Sequence, residues 1–180
     1  MKRKALAITL AAAMAMGTCA VTASAADGDK YTIGICQLVQ HEALDAATQG
    51  FKDEVTKELG EDAVTFDEQN AQGDSNTCST IINSFVSNNV DLILANATPA
   101  LQAAAAGTSD IPILGTSVTE YGVALGLDDF NGTVGGNISG TADLAPLDQQ
   151  AAMLNELFPD AKNVGLLYCS AEENSQYQVD

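Results

Sequence analysis

Hydroxyl, amide and carboxylate side chains gather in five short loops of this chain, each placed just after an apolar strand candidate. The loops read Gln40-His41-Glu42, Asn70-Ala71-Gln72-Gly73-Asp74, Ala97-Thr98-Pro99, Thr116-Ser117-Val118-Thr119 and Ser170-Ala171-Glu172-Glu173-Asn174-Ser175. In an open α/β sheet, ligands bind outside the carboxyl ends of the strands. Groups of this kind suit hydrogen bonding to a small polar molecule better than they suit a reaction. The chain holds one histidine, and no serine sits in a nucleophile-elbow pattern. No Gly-Lys-Ser/Thr sequence occurs, and the run GTVGGNISG from Gly132 lacks the strand and helix context of a dinucleotide site. Asp128 and Asp129 are neighbours and would point apart from a strand. No cofactor or metal is expected.

The elements that would position these loops alternate along the chain. Tyr31 to Leu38 reads as a buried strand. Leu44, Ala47, Phe51, Val55 and Leu59 then recur at helical spacing, and Gly60 is a natural stop. Ala63 to Glu68 is a second strand. Asp74 or Ser75 can cap a helix whose inner face is Cys78, Ile81, Ile82, Phe85 and Val86. Val90 to Ala95 is nearly all apolar, as a strand covered on both faces should be. Pro99 suits the first turn of a helix from Ala100 to Ala106. Ile111 to Leu114 is a fourth strand, Val123 to Leu127 a short fifth segment, and Asn137 to Leu144 another extended piece after a Gly-rich loop. A helix from Leu147 to Phe158 faces inward with Ala151, Leu154, Leu157 and Phe158. Asn163 to Cys169 opens a new strand, and a further helix begins near Asn174. The expected fold class is α/β, a Rossmann-like parallel sheet flanked by helices. Residues 26–145 would form one lobe and residues 146–180 the start of a second, incomplete one.

The amino-terminal residues have another role. Lys2, Arg3 and Lys4 precede an apolar run of 12 residues, Ala5 to Met16, and Ala23-Ser24-Ala25 offers a small-x-small cleavage site. Residues 1–25 thus have the layout of a secretory signal, too short for a bilayer span of roughly 20 apolar residues. Cys19 leaves lipidation open beside cleavage after Ala25. Beyond residue 25, 24 acidic residues face four basic ones, a formal charge of −20. That sign excludes a nucleic-acid reader and suits a solvated exported surface. Cys36, Cys78 and Cys169 are an odd set with no zinc spacing. Cys36 and Cys169 fall in strand candidates, where a free thiol acts as a small buried hydrophobe.

The stretch IGICQLVQHEALDAATQGF, followed by NAQGD, ATP, TSVT and CSAEENS, resembles the extracytoplasmic substrate-binding components of ABC importers. The similarity is to the tryptophan/tyrosine-type subfamily with the type I periplasmic-binding-protein fold, and it covers Lys30 to Asp180. It implies two Rossmann-like lobes, a ligand cleft between them, and docking of the closed form on a membrane permease driven by an ATPase. It implies amino acids, aromatic ones included, as ligands. The chain departs from that pattern by lacking most of the second lobe, so the natural product is expected to be longer.

By resemblance, Thr98, Ser117, Val118 and Thr119 are the first-lobe contacts. A ligand carboxylate would be met by backbone N–H groups at the helix starts after Thr98-Pro99 and Gly73-Asp74. A ligand ammonium needs a carboxylate or several carbonyls. Glu172 is a candidate, with Asn174 and Ser175 beside it and Asp143 near the hinge. Gln40 and His41 would touch the ligand's edge, and Asn70 is a further ligand-binding candidate. Each has a plainer reading: Asp74 as a helix cap, Thr98 as a turn residue, Ser117 and Thr119 as partners of loop backbone, His41 at a helix start, Glu172 as a first-turn acid. Two rival functions share the features: a receptor module signalling to a membrane partner, and an exported hydrolase using Glu172 or Asp143. The membrane would be reached only through a lipid anchor or the permease.

Overall fold

The computed structural model describes residues 30–180; the signal-sequence and Cys19 readings lie outside the described residues. β1 (Tyr31–Gln37), β2 (Val64–Asn70), β3 (Leu92–Asn96), β4 (Ile113–Val118) and β5 (Ile138–Ala142) form one sheet in the order β2-β1-β3-β4-β5. Every pairing in it is parallel. Parallel neighbours need crossovers, and helices supply them. These are α1 (Glu42–Leu59), α2 (Ser75–Ser87), α3 (Thr98–Gly107) and the short α4 (Tyr121–Leu125). α5 (Leu147–Leu157) and α6 (Glu173–Val179) come after the sheet. Among the described residues no helix is long and apolar enough to cross a membrane.

The two faces of the sheet are unequal. Ile33, Ile35 and Leu94 are buried on one face with Phe51 and Val55 of α1. The other face is larger: Cys36, Ile93, Ile113 and Val118 meet Ile81, Ile82, Phe85, Leu101 and Tyr121 from α2, α3 and α4. Alternation along β1 explains the split, since successive side chains leave opposite faces. Gly34 is required at its place: a Cβ there would lie 2.6 Å from the Phe85 ring. Phe85 is fully buried, worth about 1.5–3 kcal/mol.

Three expectations change. Val123 to Leu127 does not form an extended segment; α4 occupies Tyr121–Leu125. The Glu120 carboxylate accepts from the N–H groups of Gly122 (3.0 Å) and Val123 (2.6 Å), and Gly126 ends the helix at φ 61°. Two caps outweigh the apolar run. Asn163 to Cys169 is no strand, because no strand among the described residues lies beside it to complete a ladder. Consequently Cys169 is exposed rather than buried, and Leu157 and Phe158 of the α5 region stay more than half exposed.

Candidate functional site

The sheet order puts a switch point between β1 and β3, where the chain winds away in opposite directions. The loops leaving the carboxyl ends there are knit into one rim. The Leu38 N–H donates to the Asn96 carbonyl (3.1 Å) and the Ala97 N–H to the Thr116 carbonyl (3.0 Å). On the β2 side, Ala71 N–H donates to Gln37 C=O (2.8 Å). On the β5 side, Asp143 N–H donates to Val118 C=O (3.0 Å). Asn70, Thr98, Ser117, Val118, Thr119 and Asp143 therefore share one edge of the sheet, as the loop placement required.

Their chemical states differ. Asn70 accepts from the Gln72 N–H (2.8 Å) in an Asx turn. His41 caps α1, its Nδ1 accepting from the Ala43 N–H (3.2 Å), and Gln40 beside it is exposed. Asp74 caps α2 by accepting from Thr77 (2.7 Å); that bond holds its carboxyl below the usual carboxylate range. Val118 is fully buried in the core, so only its backbone reaches the rim. Ser117 and Thr119 are half-buried. The Asp143 carboxylate is exposed.

The start of α3 stands apart. Among the crossover helices, α1, α2 and α4 each have a side chain over their first N–H groups. α3 has none: its cap is Ala97, and Pro99 comes two residues later. Ala97 is held at φ 94°, ψ 157°, a region used almost only by glycine that costs about 1–3 kcal/mol. Ser117, at φ 55°, is also left-handed and lies where the β4–β5 register shifts between Gly115 and Val118. Such bulges re-aim side chains beside sites. Thr98 is 3% exposed, yet its Oγ1 has no hydrogen-bond partner. An uncapped helix start beside an orphaned hydroxyl is a place prepared for an anionic or hydrogen-bonding group.

Sequence reading missed the support beneath this rim. Gln37, at the end of β1, donates to Asp45 (2.6 Å) and to Val39 C=O (3.0 Å), and accepts from the Thr48 hydroxyl (2.7 Å). Asn96, at the end of β3, donates to that hydroxyl (2.9 Å) and to Leu44 C=O (2.8 Å). This buried network locks the start of α1 onto the switch point. A polar residue closing an otherwise apolar strand was the available signal.

Glu172, Asn174 and Ser175 lie elsewhere. They belong to the start of α6, which runs beside α4. Among the described residues no hydrogen bond joins them to Thr98, Ser117 or Asn70. Instead Glu173 accepts from Gln102 Nε2 of α3 (3.1 Å), one turn beyond Thr98. A hollow of about 890 Å³ beside β5 is lined by Thr119, Glu120, Tyr121, Phe130 and Ala142. The rim thus presents one wall of a site.

Residues 32–180 match the family model described as ABC transporter substrate binding protein. The chain belongs to the ABC transporter substrate-binding family. It is 43% identical over 152 residues to a tyrosine-binding protein of Clostridioides difficile strain R20291, covering 82% of this chain and 43% of that one. It is similar to the crystal structure of an ABC domain in complex with L-Trp from Streptococcus pneumonia (35% identity, TM-score 0.77, 84% of this chain and 51% of that). It is also similar to the ligand-free, open structure of CD0873, a substrate-binding protein with adhesive properties from Clostridium difficile (42% identity, TM-score 0.65, 83% and 51%). These proteins are solute binders rather than enzymes, and the family is typically extracytoplasmic. The chain spans about half the length of the relatives it matches.

Proposed function

We propose that this chain is the solute-binding component of an ABC importer and captures an amino acid, aromatic by preference. The observation that carries the reading is the α3 start, with its uncapped N–H groups and the buried, partnerless Thr98 hydroxyl. A ligand carboxylate would occupy it, with Ser117 and Thr119 adding donors and Asn70, Gln40 and His41 at the margin. Tyrosine and tryptophan in the similar proteins support the choice of side chain. Residues 26–145 would be the first lobe and residues 146–180 the opening of the second. Closure of a second lobe would bring the ammonium its carboxylate, for which Glu172 is our choice, with Asn174 and Ser175 beside it and Asp143 at the hinge. Residues 1–25 would direct export, and the permease and ATPase would be the partners. Capture and release complete the role, with no chemical step.

Calorimetric titration of the full-length protein tests this. Tyrosine and tryptophan should bind with micromolar affinity, about −8 kcal/mol. Tyrosinamide, which lacks the carboxylate, should bind at least tenfold more weakly. Absence of heat from every aromatic amino acid would overturn the ligand class. Equal affinity for tyrosine and its amide would overturn the carboxylate placement.

A further inference from the structure

Cys36 and Cys78 are 42 positions apart in the sequence, and the fold brings them together. Both are fully buried in one core cluster. The backbone explains why. Ala71 N–H donates to Gln37 C=O and Gly73 N–H to Leu38 C=O, each at 2.8 Å. These bonds tie the approach to α2 onto the end of β1. Deeper in the core, Phe85 of α2 lies directly against Gly34 of β1. Strand and helix are clamped at both ends of the interval that holds Cys36 and Cys78, and both side chains, free thiols here, are buried in the core cluster between them.

We propose that Cys36 and Cys78 form a disulfide in the exported protein, bolting the end of β1 to the first turns of α2. This rests on the export part of the proposed function, because disulfides persist in oxidising compartments. The reactive partner is a disulfide, either of low molecular weight or on an oxidoreductase. The Cys78 thiolate attacks one of its sulfurs and expels the first thiolate, giving a mixed disulfide. Cys36, on losing its proton, attacks Cys78 Sγ and expels the second. The protein loses two hydrogens and two electrons, and the reagent leaves as two thiols. Because neither sulfur is exposed, exchange takes place during folding or when the 71–74 loop opens. The bond fixes the Asn70–Asp74 loop against the rim. Cys169 is exposed and stays outside the pair.

Two preparations of the full-length protein test this. One is purified from the export compartment; the other is refolded from urea with or without oxidised glutathione. After alkylation under denaturing conditions, peptides holding Cys36 and Cys78 should be found joined and should alkylate only after reduction. Cys169 should alkylate at once. The oxidised protein should melt roughly 5 °C or more above the reduced form. Cys36→Ala and Cys78→Ala should each erase that difference, and Cys169→Ala should not. Free thiols at Cys36 and Cys78 after refolding with oxidised glutathione, or pairing of either with Cys169, would overturn the proposal. A bond that forms with glutathione yet is absent from the exported protein overturns it too, while leaving the ligand reading untouched.

Discussion

Thr98 makes a prediction with two opposite signs. Its hydroxyl is buried and unpaired in the free protein, and a buried unpaired polar group costs about 1–3 kcal/mol. Valine keeps the shape and removes the oxygen. Thr98→Val should therefore raise the melting temperature of the free protein by a few degrees, and weaken amino-acid binding by about tenfold. Melting scans and calorimetry on the same preparation check both. A variant that melts lower and binds as well as the parent would show that the hydroxyl has an internal partner and no ligand. Before Pro99 at a strand end, Thr98 reads in the sequence as either a ligand contact or a turn residue; its burial without a partner is what the structure adds. Gln37 and Asn96 were not legible there. Each ends an apolar strand, but their meeting depends on which strands become neighbours, and no local pattern encodes that. The sequence allows His41 and Asp74 to be either contacts or caps, and the N–H bonds they accept supply the cap.

At the scale of elements, the helical stripes of α1 and α2 were plain, because each buries a continuous face. α4 was hidden, because five residues carry no periodicity and its caps lie outside it. Its role is to hold Tyr121 against the β4–β5 pair. Gly115 and Gly140 are in register there, and a Cβ at either would run into the Tyr121 hydroxyl, which donates to Thr141 C=O (3.2 Å). Burial is the main force pushing this phenol up to about 12, and the Asp143 charge adds to it. The unfolded phenol titrates near 10. A folded pKa above the unfolded one means stability is full below about pH 10 and is lost as pH rises toward 12. Tyr121→Phe should abolish that part of the alkaline decline, read by urea unfolding at stepped pH. An unchanged decline in the variant would move its origin to other groups.

Across the whole molecule, packing is uneven. The rim rests on a sheet whose order closes with β5, and both core clusters lie between residues 33 and 138. Near the end of α5 and beyond it the apolar groups find little cover: Leu157 is 63% exposed, Val164 57%, Leu166 65% and Leu167 102%. The sequence pattern of residues 163–169 is that of a buried strand, so pattern and environment disagree. A strand-forming apolar segment with unpaired backbone is a template for pairing with another copy. The polypeptide of residues 26–180 should therefore self-associate and bind a hydrophobic dye. Its charge of −20 opposes this at low salt, so association should grow as salt screens the repulsion. Leu166→Ser combined with Leu167→Ser should return it toward the monomer in sedimentation velocity, with the core unfolding transition unmoved. Monomeric behaviour of the parent polypeptide at high salt would show that these leucines are covered in solution, and the strand reading of residues 163–169 would then regain its ground.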